Sequence, residues 1–485
     1  MKKILLLTLS FALLLTSCDK LKDYFSGSPA SESPKRYIRE EIHSARAQKD
    51  VEALEKALTI MRKLPCENPL SWYYQGAIHW VPDTIQNNQL CASYSTPADL
   101  KEAWDNCTHT PSGKEKVHFL VWHRLYIYHF EKIVRKLSGY NDFALPYWGY
   151  TNANQDQLTL EKTFRKNGSG LYESCRFDSL NNGYPIQGEI LRALELDKLM
   201  SYTTFEMFSN NINAAPHGAI HDYVGAGNDQ TGKQFKNPIT GTVSETGLMG
   251  WVPTAGFDPI FWTHHSNIDR IWQQWTNSLN GKKVTMDILR SADWNYTFFD
   301  ENGKKVTYTY DDIIKIIYNL DYDFDDTKVY EKSDEQQPVM AYNNVVAAWY
   351  EGTAVNGQIT DAITLMPNRK FSSQLSGKVK VFITVSFTKV PKGIYEVYLN
   401  ANTKQELHPR NLNTFVGYMT FFGADHRMPG ESCEKGCCRP LNDKGRPTMT
   451  FEYEVSESSK YDFKIYKHSG KHVGDLIIEE ITIKK

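Results

Sequence analysis

Histidines in four stretches of this chain stand at spacings that suit a metal. His217-Gly-Ala-Ile-His221 is a four-residue step, which on a helix sets both imidazoles on one face about one turn apart. Two neutral imidazoles so placed can grip one transition metal, and Cu, Zn, Fe and Ni are all acceptable to them. The same step also occurs in solvated or core-bonded pairs. A zinc-protease reading needs Glu directly after the first histidine, and Gly218 stands there instead. Downstream, Asp258-Pro-Ile-Phe-Trp-Thr-His-His-Ser-Asn-Ile-Asp269 places Phe261 four residues before His265 and Asp269 four after it. Upstream, Phe119-Leu-Val-Trp-His123-Arg124 runs on to Glu131, and Trp72-Tyr-Tyr-Gln-Gly-Ala-Ile-His79 ends on a further histidine.

The segment from Asp258 resembles the second copper signature of tyrosinases, catechol oxidases and molluscan hemocyanins, and the segment from Phe119 resembles the first. The resemblance implies two copper ions per chain. His217, His221 and His265 would hold CuB, with His264 a neighbour that packs or gives a hydrogen bond. His79 and His123 would hold CuA with a third histidine, while Arg124, Glu131 and Asp269 fix the helices rather than bind metal. That third ligand is where the chain departs from the family pattern, because nine residues before His123 stands Lys114. Cys107-Thr-His109 reproduces the Cys-x-His of fungal tyrosinases, whose cysteine is bonded to the histidine ring as a thioether, and makes His109 the favoured ligand. His118, five residues before His123, is the alternative.

This likeness implies oxidation of o-diphenols to o-quinones, with O₂ reduced to water. Neutral nitrogen ligands serve both Cu(I) and Cu(II). Hydroxylation of monophenols is associated in the family with a Glu four residues before the first CuB histidine and an Asn just after it. Here those positions are Asn213 and Gly218, and a neutral Asn213 cannot act as a general base. Asp222 is a possible substitute. The gate position over CuA is Val252, which is smaller than the Phe of many plant enzymes and would admit bulkier phenols. Diphenol oxidation is therefore expected, with a true tyrosinase as the alternative and a hemocyanin-like O₂ binder as a further one. No Gly-rich nucleotide loop follows a strand, so no organic cofactor is expected.

Helices must position these ligands. Apolar residues recur at three- and four-residue steps from Pro34 to Leu64, from about Val117 to Leu137, and from Asp258 onward through Ile268, Ile271, Trp272 and Trp275. Past residue 290 the texture changes to short alternating stretches, such as Val379 to Val385, Met449 to Val455 and Leu476 to Ile483. Such alternation predicts an antiparallel β domain. Phe143 to Tyr150, Asp293-Trp294, Phe298 to Asn302 and the tail from Lys378 are similar to segments of plant polyphenol oxidases, whose C-terminal domain covers the active-site entrance. The tail would then be either a removable cover or a permanent second domain. The expected architecture is a mainly α catalytic domain over 36–290, a four-helix bundle around the dicopper site. A linker follows over 291–370, then an antiparallel β-sandwich or barrel over 371–485.

The 485 residues suit two or three domains, and a formal net charge of −2 gives no reason to expect nucleic acid. Lys2 and Lys3 precede an apolar run from Ile4 to Leu15, too short to span a bilayer, that ends in Leu15-Thr16-Ser17-Cys18. This resembles a bacterial lipoprotein box, with residues 1–18 as signal, Cys18 as the lipidated residue and 19–35 as a tether. The implied place is outside the cytoplasm, anchored to a membrane. Disulfides are permitted there. Of the eight cysteines, seven remain after Cys18; a Cys107 thioether would leave six for up to three disulfides. Cys433, Cys437 and Cys438 form a C-x-x-x-C-C cluster that fits either disulfides or a Cu(I) relay.

Overall fold

The structure is a computed structural model that describes residues 36–79, 91, 98–104, 117–152, 154–225, 233–290, 296–327, 345–350, 352–355, 360, 362–367, 377–424, 441–467 and 475–485. Cys18 and the tether, Cys107 and His109, Asp293-Trp294 and the Cys433/Cys437/Cys438 cluster lie outside the described residues.

Strand β1 (Tyr37–Arg39) opens the helical core, followed by α1 (Gln48–Met61) and α2 (Trp72–Ala77). α1 buries Val51, Leu54, Ala57, Leu58 and Met61, the stripe expected of a helix with one face on a core. α3 (His118–Ser138) runs for 21 residues and stops at Gly139, whose φ of 71° closes a left-handed C-cap that a side chain would strain. α4 (Phe205–Ile212) leads through a kink over Asn213–Gly218, where Ala215 is extended (φ −148°, ψ 134°), into α5 (Ala219–Val224). Pro216 lies in that kink and cannot donate a backbone hydrogen bond, so a regular helix cannot run through it. α6 (Val252–Ala255) and α7 (Ile260–Asn277) complete the frame. Asp258 starts α7 by accepting from the Ile260 N–H at 3.0 Å while the buried Arg176 guanidinium neutralises it.

A buried ionic knot ties the two longest helices to the N-terminus. Arg39 pairs with Glu131 of α3 at 2.8 Å and with Asp269 of α7 at 2.9 Å, and Asp269 also accepts from Arg124. The Arg124 guanidinium lies 3.6 Å from the centre of the Trp272 ring. Charges this deep are retained only as a fully paired set. Arg124, Glu131 and Asp269 are thus spent on ion pairs that join α3, α7 and β1.

Hairpin β2 (Tyr296–Phe299)–β3 (Lys305–Tyr308), helix α8 (Tyr310–Ile316) and strand β4 (Tyr322–Phe324) also belong to this core, and β4 pairs in parallel with β1. The span expected as a linker therefore divides. Residues 296–327 pack on the helices, whereas β5 (Val345–Trp349), β6 (Thr353–Ala354) and β7 (Ile363–Leu365) join the C-terminal sheets.

Those sheets add β8 (Lys378–Ser386), β9 (Tyr395–Leu399), β10 (Phe415–Met419), β11 (Thr448–Ser456), β12 (Tyr461–Lys467) and β13 (Ile477–Lys484). One sheet has the order β11-β8-β13-β5, with β6 on β13, and the other β10-β9-β12-β7. Val379, Val381, Ile383 and Val385 alternate inward along β8 and share one apolar core with Val397, Phe463 and Ile465 of the other sheet. Of the two forms expected, the described strands make facing antiparallel sheets and no closed barrel. Cys66 and Cys91 form a disulfide, and Cys175 is a buried free thiol, so among the described residues three disulfides are not reached.

Candidate metal centre

Six of the histidines singled out above meet in the core, brought there by four different segments. α3 carries His123, α7 carries His264 and His265, the residue after α2's C-cap is His79, and the kink before α5 and α5 itself carry His217 and His221. Ring nitrogens of His79, His123 and His265 lie within 4.8 Å of one another, as do those of His217, His221, His264 and His265. The His123 and His265 rings stack at 4.4 Å, and the His217 and His221 rings stand 4.6 Å apart. None of these side chains is more than 3% exposed.

Hydrogen bonds to backbone carbonyls fix four of these imidazoles in one tautomer. His79 Nδ1 bonds to the Val252 carbonyl at 2.9 Å, His123 Nδ1 to Phe119 at 2.7 Å, His217 Nδ1 to Asn213 at 3.1 Å and His221 Nδ1 to Met249 at 2.8 Å. A carbonyl oxygen can only accept, so Nδ1 must carry the proton and the lone pair is left on Nε2. Burial holds the rings neutral: it pushes His79 and His264 down to about 3, and His123, His217, His221 and His265 well below the ordinary imidazole value. A set of desolvated, neutral, orientation-locked imidazoles fits a transition metal rather than an ion-pair network.

His264 differs from these four. Its Nδ1 faces the Tyr150 hydroxyl at 2.8 Å rather than a carbonyl. His265 has no hydrogen-bond partner on either ring nitrogen. It is also the histidine common to both clusters.

His118 falls away from the site. Its ring meets the Tyr296 hydroxyl at 2.7 Å and packs beside Tyr296 and Tyr310, and it belongs to neither cluster. Five residues along a helix turn a side chain well past the face that carries His123. The favoured ligand, His109, lies outside the described residues, so the geometry supplies two of CuA's expected histidines together with the shared His265.

Around the site, Phe261 packs on His265 at 4.3 Å and on His79 at 4.6 Å. Val252 is buried and fixes His79 through its carbonyl. Asn213 likewise acts through its carbonyl, on His217. Asp222 is partly exposed, unlike the buried His221 beside it.

The C-terminal sheets contribute residues that no motif announced. Phe422 stacks on His221 at 4.1 Å, and the Thr420 hydroxyl donates to the Ala214 carbonyl at 2.9 Å. A Cβ on Gly218 would stand 2.8 Å from Thr420 Oγ1 and 3.3 Å from Phe422 Cβ. The glycine after His217 thus makes room for the visiting segment. Only the pairing of Gly218 with a tail of unknown docking site could have signalled this, and one sequence does not contain it.

Comparison with known proteins agrees with this geometry. Residues 69–184 and 190–278 match the common central domain of tyrosinase. A tyrosinase of Hahella sp. (strain CCB-MM4) is 27% identical over 300 residues, covering 53% of this chain and 57% of that protein. Aureusidin synthase of Antirrhinum majus is 27% identical over 374 residues, covering 68% of this chain and 57% of its own. The chain thus spans less than two thirds of the length of these relatives. In fold, it is similar to latent aurone synthase (TM-score 0.61, 19% identity, 94% of this chain and 90% of that one). It is also similar to latent apple tyrosinase (TM-score 0.60, 19% identity, 93% and 97%).

Proposed function

The chain belongs to the tyrosinase and polyphenol oxidase family, and on that premise we propose that it is a dicopper oxidase converting o-diphenols to o-quinones with O₂ reduced to water. The observation that carries this reading is the pair of histidine clusters sharing His265, their imidazoles neutral and tautomer-locked. His217, His221 and His265 would hold CuB; His79, His123 and, by the family likeness, His109 would hold CuA. Copper in this site supplies O₂ binding and electron transfer from the phenol. The protein's own part is to keep the lone pairs aimed inward, exclude water and orient the aromatic ring.

Diphenols are favoured as substrates because Asn213 offers its carbonyl to His217 and has no acidic group with which to deprotonate a phenol. Asp222, partly exposed, supports this role poorly. The facing β-sheets form a sandwich that holds the enzyme latent, with Phe422 standing over His221 where a substrate ring would dock. The sequence around Leu15 to Cys18 supports export and a lipid anchor at a bacterial membrane, and among the described residues no helix is long and apolar enough to cross one.

Oxygen uptake by the copper-loaded protein, offered catechol and tyramine separately before and after limited proteolysis, tests this. Uptake with catechol alone, released by proteolysis, is expected. Uptake with tyramine would make it a true tyrosinase and put the base elsewhere, and no uptake with either would overturn the oxidase reading.

A further inference from the structure

His264 is the imidazole that the copper reading leaves unused. It is fully buried, and a ring nitrogen of it lies within 4.8 Å of ring nitrogens of His217, His221 and His265. Its Nδ1 faces the Tyr150 hydroxyl at 2.8 Å, and its Nε2 has no hydrogen-bond partner.

The direction of the Tyr150 bond decides what that Nε2 is. Tyr150 is 1% exposed, and its hydroxyl carries one proton that needs an acceptor. If the hydroxyl donates to His264 Nδ1, the proton of the neutral imidazole sits on Nε2, and one buried donor is left over. If instead Nδ1–H donates to the tyrosine oxygen, the hydroxyl proton must turn to Asn267, whose amide oxygen already accepts from Arg270, and the Nε2 lone pair is left bare in the metal-free site. The first arrangement is the cheaper. His264 therefore holds the tautomer opposite to His79, His123, His217 and His221, whose Nδ1 atoms all face carbonyls. A protonated Nε2 cannot ligate a metal, which explains why His265 and not its neighbour is the ligand. It can donate a hydrogen bond.

We propose that His264, held by Tyr150, points an Nε2–H donor into the CuB side of the site and there binds the phenolic oxygen of the substrate. This deepens the dicopper reading and rests on it. The acceptor class is a phenolate or phenol oxygen, the group a diphenol brings wherever it docks beside His217 and His221. His264 is then a substrate-orienting residue, and Tyr150 positions it.

The tautomer can be read directly in the full chain, loaded with zinc as a diamagnetic stand-in and labelled with ¹⁵N-histidine. Long-range ¹H–¹⁵N spectra, assigned with His264→Gln, are expected to show His264 protonated on Nε2 and the four carbonyl-bonded rings protonated on Nδ1. Tyr150→Phe should move part of His264 to the Nδ1 form. An Nδ1-protonated His264 in the parent, or one whose Nε2 binds zinc, overturns the proposal. The donor role is read by titrating 4-nitrocatechol into the zinc-loaded Phe422→Gly protein, which opens the docking face. In that background His264→Gln, which keeps an N–H of similar reach, should retain most of the affinity. His264→Leu should lose roughly ten- to a hundredfold, the scale of one hydrogen bond to a charged acceptor. Equal affinity in all three overturns the donor role. Metal content separates the two readings: a Phe422→Gly parent holding fewer than two metals per chain sinks the dicopper site and His264's role with it. Two metals in every variant with no effect of His264→Leu sinks only His264's.

Discussion

Phe422 lies face to face with His221, the two rings 16° from parallel and their centres 4.1 Å apart, although 201 positions of chain separate them. The same phenyl ring stands edge-on to His217 at 5.6 Å. An aromatic ring from the β unit thus occupies one face of the His221 imidazole. A stack of this kind contributes about 0.5–1.5 kcal/mol beyond its buried area. Replacing Phe422 by Gly should raise catechol oxidation by the intact protein on the order of tenfold. An unchanged rate before proteolysis would show that this ring does not limit access.

Gly218 and Thr420 give a second handle on the same contact. A Cβ at position 218 would meet Thr420 Oγ1 at 2.8 Å and the Asn213 carbonyl oxygen at 3.1 Å, closer than relaxed packing permits. Gly218→Asn should therefore weaken docking of the β unit by about 1–3 kcal/mol, the usual range for overpacking. Faster proteolytic separation of the two units is the expected readout, and a cleavage rate equal to the parent's would count against it.

Arg192 and Glu396 clamp the interface at some distance from the copper site. The guanidinium makes two bonds to a fully buried carboxylate, at 2.8 and 2.9 Å, and a third to the Leu407 carbonyl at 3.0 Å. Removing one partner of a buried pair leaves an uncompensated charge at a cost of roughly 3–5 kcal/mol. Arg192→Ala should lower the melting temperature and increase activity without proteolysis. Arg192→Leu combined with Glu396→Leu should recover much of the stability, and a double variant as weak as the single would contradict this account.

Buried neutral histidines set the acid limit of the metal-free protein. Burial pushes His118 and His129 down to about 4, and His79 and His264 to about 3. Between those values and about 6.5 the unfolded chain binds more protons than the folded one. Their contribution is therefore complete above pH 6.5 and is lost as the pH falls through 6 toward 4. Each of His118 and His129 is worth on the order of 3 kcal/mol by this linkage. Chelator-treated protein should lose melting temperature steeply over this window. His129→Phe, which removes a titrating group whose Nε2 meets the Tyr308 hydroxyl at 2.8 Å, should flatten the slope at a modest cost at neutral pH. An unchanged slope would show that His129 is not part of it.

The legible parts of this molecule were those in which chemistry and local periodicity coincide. His123 and His265 sit on α3 and α7, and both helices announce themselves by apolar spacing as well as by the ligand motif. The His217–His221 pair was legible as a step but not in its setting: Ala215 is extended and Pro216 follows it, so the chain kinks just before His217. Non-local relationships were not legible. That Arg39 would neutralise both Glu131 and Asp269 depends on a parallel pairing of β1 with β4 across almost 300 residues. That Phe422 would reach His221 depends on how two domains dock. The division of residues 291–370 between both units is of the same kind, since short strands such as Val345–Trp349 carry no mark of the sheet they will join.

The third CuA ligand is the point at which two histidines compete, and the fold places one of them, His118, outside both histidine clusters. His118 is engaged by Tyr296 at 2.7 Å and packed beside Tyr310, on the side of α3 away from His123. Bringing it to the metal would require unwinding the first turn of α3, which also carries Phe119, the residue whose carbonyl fixes His123. His118→Phe should accordingly leave copper at two per chain and cost stability through the lost bond to Tyr296, about 0.5–1.5 kcal/mol. His109→Ala should lower copper toward one per chain while His217, His221 and His265 keep theirs. Metal analysis of the two variants side by side decides the matter: copper lost from the His118 variant and retained by the His109 variant would reverse the assignment.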